Sequence, residues 1–183
     1  MVKYWSIAPY RNQRTMPGER SWNVEGFEQA WKYDRENGVI AIGWCEVGDL
    51  FGLSRTEIKR RYIKHRYNDM QNRGDDSRGY VNLQRFWHDI EQDDRIIARY
   101  GLKRIVGVGV VTDKPFYDLE KGKLWTGGLP IRPHPNFLPV AWEEFCHDFM
   151  ESVFHRDTVF QVKETHKHWP TLKNVLDRVW GRP

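Results

Sequence analysis

Cysteine is scarce in this chain. Cys45 and Cys146 are the only two in 183 residues, too few for a disulfide framework, so a reducing cytoplasm is the expected compartment. Long apolar runs are missing as well. The longest, residues 39–42 and 105–111, fall far short of the ~20 residues a helix needs to cross a bilayer. Residues 1–10 read as a strand without the apolar core of a signal peptide. No repeat period or low-complexity tract is present. Catalytic and nucleotide motifs are equally thin. No G-x-x-x-x-G-K-[ST] occurs, which excludes phosphate binding in the P-loop manner, and no G-x-S-x-G nucleophile turn is found. Gly107-Val-Gly109 lies inside an apolar strand pattern and lacks the third glycine of a dinucleotide loop, so its glycines are expected to permit close packing. His155-Arg156-Asp157 matches the kinase catalytic triplet, but no asparagine follows at the required spacing. Cys146, His147, His166 and His168 fit no zinc-ligand spacing and read as solvated side chains. With no acid–base pair, nucleophile set, metal or cofactor motif, a binding domain is expected rather than an enzyme.

What the chain does have is tryptophan and positive charge. Nine tryptophans stand in a chain of net charge +4 and pI near 9.1. Indole is well suited to stacking on flat rings, and a basic balance favours a polyanionic partner. With 39% hydrophobic and 30% charged residues, the composition is that of one soluble domain able to bury a core.

Periodicity gives an α+β reading of five to six strands with interspersed helices. A first strand is expected over residues 2–8, a loop over 11–20, and a helix over 23–37 that Asn23 caps and Gly38 ends. A buried strand follows at 39–45. Ser54-x-x-Glu57 is a capping box opening a helix to about residue 67, and a further helix spans 81–92. Residues 94–100 and 103–112 read as a hairpin, 116–136 as mostly loop because of its glycines and prolines, 140–145 as a short strand and 170–180 as a last helix.

Two features point to a site. Residues 55–66 hold six lysines or arginines against one acid, Glu57. Arg55, Lys59, Arg60 and Lys64 on that helix are candidates for phosphate contact, with Ile58 and Tyr62 docking it. Lys103 and Arg104, beside Arg99, form a second basic cluster. Most of the tryptophans fit core positions. Trp44 and Trp125 do not, since each stands where an ordered segment meets a glycine-rich polar stretch, so both are candidate walls of a binding site. An alternative use of Trp125 is an apolar docking patch with Phe116 and Tyr117.

The order of these segments resembles the PUA-like group that includes the YTH and EVE domains. The resemblance rests on Tyr4-Trp5-Ser6-Ile7, Gly38-Val-Ile-Ala-Ile-Gly-Trp44-Cys45, the hairpin ending Ile105-Val-Gly-Val-Gly-Val-Val-Thr112, Pro115-Phe-Tyr117 and Pro139-Val-Ala-Trp142. It covers much of residues 1–149. In size the chain is similar to the N-terminal DNA-binding domains of McrB-type specificity subunits in methylation-dependent restriction systems. That resemblance implies a curved or barrel-like mixed sheet in one domain over residues 1–183, to which this chain's own pattern adds a helical insertion at 53–93 and a helical extension at 146–183. It implies a base-binding set of Trp44, Trp125, Asn23, Tyr10 and Cys45 forming an aromatic cage. The ligand it implies is a methylated base flipped from double-stranded DNA, N6-methyladenine first and 5-methylcytosine second, with modified single-stranded RNA as the alternative. It also implies an AAA+ motor domain and a nuclease subunit as partners. The chain departs from YTH readers in the length of the 53–93 insertion and in carrying one tryptophan in the Trp125 segment where some readers have two.

Overall fold

The computed structural model describes residues 2–10, 24–70, 79–129 and 131–181. Eight strands and five helices alternate along it. They are β1 (Tyr4–Ile7), α1 (Val24–Glu36), β2 (Val39–Ile42), α2 (Arg55–Met70), α3 (Gly79–Gln84), β3 (Arg95–Tyr100), β4 (Arg104–Val111), β5 (Phe116–Tyr117), α4 (Leu119–Trp125), β6 (Asn136–Glu143), β7 (His147–Asp148), β8 (Val159–Val162) and α5 (Trp169–Trp180). A 3₁₀ turn at Cys45–Val47 follows β2, and a π-helical turn at Arg85–Asp89 continues α3.

The fold is α+β, as the periodicity implies. A curled, half-barrel mixed sheet runs β2-β6-β4-β3-β1-β8, with β5 added to β6 and β7 to β4. β1 and β3 are the parallel neighbours, and the pairings of β8, β4, β6 and β2 are antiparallel. A register shift between Ala98 and Arg99 marks a bulge in β3, and a bulge increases local twist and bend. Buried Asp94 joins β1 to β3. It accepts the backbone N–H of Lys3 at 2.9 Å, the indole N–H of Trp5 at 2.8 Å and the backbone N–H of Glu91 at 3.0 Å.

The inside of the curl is apolar because Ile40, Ile42, Ile96, Ala98, Val111 and Leu138 project into it, and α2 and α3 cover it with Ile58, Tyr62, Leu83 and Phe86. α2 begins at the capping box: Ser54 donates to Glu57 at 2.7 Å while its own hydroxyl accepts from the Glu57 N–H at 3.3 Å. A second cluster sits on the other face, where α5 lays Leu172, Val175 and Leu176 against Ile97, Ile105 and Val108. Gly107 and Gly109 let neighbours approach. A Cβ on Gly109 would stand 2.5 Å from Val140 Cγ1 and 2.6 Å from the Ala141 carbonyl oxygen. Gly109→Ala should therefore destabilise the fold by about 2 kcal/mol through overpacking. Urea unfolding followed by circular dichroism would measure this, and an unchanged midpoint would refute the close contact.

Several local expectations need correction. Residues 116–136 were expected to be mostly loop, yet they include β5 and α4. α4 starts where the Asp118 carboxylate caps the Lys121 N–H at 2.9 Å, a short signal easily lost among the glycines. The 39–45 strand stops at Ile42 because Trp44 turns the chain with φ 67°. The segment 146–183 is not a purely helical extension, since it contributes β7 and β8 to the sheet before α5.

Candidate nucleic-acid interface

β2 delivers the Gly43-Trp44 step to the rim of the curl. Trp44 is half-buried and holds a left-handed backbone conformation, φ 67° and ψ 43°, which is costly for a residue with a large Cβ substituent. Asn136, buried at the start of β6, fixes the step: its Nδ2 donates to the Gly43 carbonyl at 2.6 Å while its Oδ1 accepts the Trp87 indole N–H at 3.1 Å. Strained conformations of this kind persist where the surroundings over-determine them, often at sites of function.

Next to Trp44 the 3₁₀ turn presents Cys45 and Glu46. The Cys45 thiol approaches Glu46 Oε2 at 3.6 Å, and burial followed by the Glu46 charge pushes its pKa up. It is therefore a thiol that packs and not an activated nucleophile. Arg132 reaches Glu46 at 3.9 Å. Tyr117, on β5 beside Asn136, has its hydroxyl pKa raised by burial and then by Cys45 and Asp49.

Trp125 corrects the aromatic-cage expectation. Its ring is 0% exposed, so it offers no face to a base and forms no docking patch with Phe116. That residue stacks instead on Phe137 at 5.4 Å. The Trp125 indole N–H donates to buried Asp34 at 3.0 Å, and its ring lies on His134 with centroids 4.1 Å apart and planes 17° from parallel. Tyr10 stands 6.2 Å away, tilted by 35°. His134 in turn presses on Gly43, where a Cβ would stand 3.1 Å from its Nε2. Trp44 and Trp125 thus belong to one assembly, but Trp125 supports it from within. Asn23 lies outside the described residues.

Burial sets the protonation states of this assembly. Desolvation lowers the His134 pKa from 6.5 to about 4, against backbone contacts to Pro9 and Ala41, leaving the ring neutral with Nδ1 3.1 Å from the Pro9 carbonyl. Desolvation raises the Asp34 carboxyl well above the carboxylate range, against the hydrogen bonds from Ala41 and Trp125. Neither His134 nor Asn136 was singled out from the sequence. They sit in Arg132-Pro-His-Pro-Asn136, where prolines erase any periodic signal.

The basic helix abuts the Trp44 turn, for Arg61 Nη1 donates to the Asp49 carbonyl at 2.7 Å. Lys59, Arg60 and Lys64 are exposed, with Lys59 over the Tyr80 ring at 5.2 Å. Arg55 is ion-paired to Asp89. The second cluster is not brought to the same place. β6 pairs with β2 near Trp44 at its Asn136 end and with β4 toward its Glu143 end, so the β3–β4 turn lies beyond the opposite end. There Lys103 donates to the Met150 carbonyl at 3.0 Å, Arg104 pairs with Asp148 at 3.6 Å, and Arg99 is buried. These engagements lessen their value as phosphate contacts for a ligand at Trp44.

Among the described residues no group of three or more His, Cys, Asp or Glu side chains is placed to hold a metal ion, and no helix is long and apolar enough to cross a membrane. The family model described as "Domain of unknown function (DUF8426)" matches residues 21–165, a span that leaves out β1 and α5. No curated protein matches the chain.

Proposed function

Because the chain belongs to the DUF8426 family of domains of unknown function, its role must be read from its own geometry, and we propose that it is a DNA-binding domain that takes up one methylated base against Trp44. The observation that carries this reading is the Trp44 ring itself. It is half-buried where the edge strand β2 ends, packed in part against the core of the curl, held in a strained left-handed conformation, and flanked by a helix with exposed Lys59, Arg60 and Lys64. An indole at such a rim can stack on a base, and the apolar contact favours a methylated one. Extruding a base from a duplex costs a few kcal/mol, which phosphate contacts along α2 help to offset. Trp125 and His134 then serve as the packed backing of the site. The resemblance to YTH and EVE domains favours N6-methyladenine over 5-methylcytosine, and the similarity to McrB-type domains favours a role in targeting a restriction complex with an AAA+ motor and a nuclease.

The test is an anisotropy titration with duplexes identical except for no modification, N6-methyladenine or 5-methylcytosine, beside a matched methylated RNA. Stacking of one base is worth ~1–3 kcal/mol, so Trp44→Ala should weaken binding roughly 5- to 150-fold and erase the preference for the methylated duplex while circular dichroism stays unchanged. Discrimination that survives Trp44→Ala would sink the reading. Tighter binding of the RNA would transfer it to single-stranded RNA, where the 2′-hydroxyl is the distinguishing contact.

A further inference from the structure

A cleft of about 580 Å³ opens at the far edge of the sheet from Trp44. β2 is one end of the strand order and β8 the other, and this cleft lies along β8. Phe160, His166, Arg85, Asp89, Lys163 and Lys167 line it, with buried Trp5 at its base. Its volume falls in the range of small-ligand sites, roughly 300–1,000 Å³.

Its electrostatics are one-sided. Arg85 is committed to Asp157 at 2.9 Å and to the Val159 carbonyl at 2.8 Å. Asp89 is committed to Arg55. Lys163 and Lys167 are exposed, and no ion pair to either is present among the described residues. They leave the rim with uncompensated positive charge. Beside them Phe160 offers a flat apolar surface. His155 covers one of its faces in parallel, with centroids 4.7 Å apart, while His166 stands tilted by 60° at 5.4 Å. Burial, then the nearby His168 and His155, lowers the pKa of His166, so His166 adds a neutral ring rather than charge. A flat ring next to two free ammonium groups matches the chemistry of a nucleotide, which carries a planar base and a phosphate.

We infer that this cleft is a second nucleotide-binding site, taking a base beside Phe160 and His166 and a phosphate at Lys163 and Lys167. α2 joins it to the first site. Arg55 on that helix pairs with Asp89 of the cleft, and Arg61 bonds to Asp49 beyond Trp44, two positions about 9 Å apart along the helix axis. The cleft does not depend on what Trp44 reads.

The full chain would be titrated with adenosine monophosphate and with an unmodified eight-residue thymidine strand, following ¹H–¹⁵N and histidine ring signals. Shifts at Phe160, His166, Lys163 and Lys167 are expected, with binding at these residues at least 10-fold weaker in Lys163→Glu/Lys167→Glu. Binding of the monophosphate would identify a free nucleotide as sufficient, and binding of the strand alone would identify a nucleotide within a chain. Absence of binding by both probes, shifts confined to other surfaces, or equal affinity in the double variant would each overturn the inference. Loss of methyl preference in Trp44→Ala is a separate readout, so the two sites can fail independently.

Discussion

Trp125→Ala should cost the fold about 3–5 kcal/mol, the range for truncating a large buried aromatic. That is a large share of the 5–15 kcal/mol that separates folded from unfolded domains. The ring is wholly enclosed among Ala30, Val39, Ala41 and Phe137, and its removal leaves both a void against His134 and a buried Asp34 without its indole donor. Urea denaturation followed by circular dichroism would show the loss as a shifted midpoint. Trp125→Phe keeps a ring against His134 and removes the hydrogen bond together with the part of the indole that phenyl does not fill, for a smaller loss of about 1–3 kcal/mol. A Trp125→Ala protein as stable as the parent, but defective in binding, would restore Trp125 as a wall of the base site.

The second large effect is a loss of stability in mild acid that belongs to His134. Its pKa falls from 6.5 to about 4 in the folded chain. Above pH 6.5 both states are neutral and the contribution is fully present. Below 6.5 the unfolded chain takes up a proton that the folded chain refuses, and stability declines until pH reaches about 4. Over that window the decline amounts to about 3 kcal/mol. Asp34 has the opposite sign, because a raised folded pKa makes its contribution largest at low pH and smaller as pH rises. Comparing the parent with His134→Gln cancels Asp34, which both proteins retain. The parent should lose about 3 kcal/mol relative to the variant between pH 7 and pH 4. Parallel stability curves would show that His134 takes up protons freely and is not enclosed.

How much of this was legible beforehand varied with the range of the interactions involved. The capping box at Ser54 and Glu57, the docking of α2 by Ile58 and Tyr62, and the close packing at Gly107 and Gly109 follow from spacing along the chain. Ile63, on the same helix, is 44% exposed because it lies off the docked face. α4 was obscured because its sequence, Leu119-Glu-Lys-Gly-Lys-Leu-Trp125, has a glycine at its centre and only two turns. β8 has no sequence signal because its four residues, Val159-Phe-Gln-Val162, are too few and do not alternate between apolar and polar. The basic run was visible as charge, but its division into engaged Arg55 and exposed Lys59, Arg60 and Lys64 was not, since Asp89 is 34 residues from Arg55.

The two prominent tryptophans show where local information ends. Residue order alone dictates a buried strand from Val39, a cationic helix after it and a mixed α+β domain, because periodicity, capping and charge are properties of neighbours in the chain. Whether an indole meets solvent is settled by segments far away in number. Asp34, Tyr10 and His134 converge on Trp125 from three separate stretches and close it off, while Asn136 pins Gly43 and keeps Trp44 at the rim. Burial is a sum over contacts that only the folded arrangement brings together, and two rings with similar flanking residues therefore end differently, Trp125 fully enclosed and Trp44 half-buried against the main core.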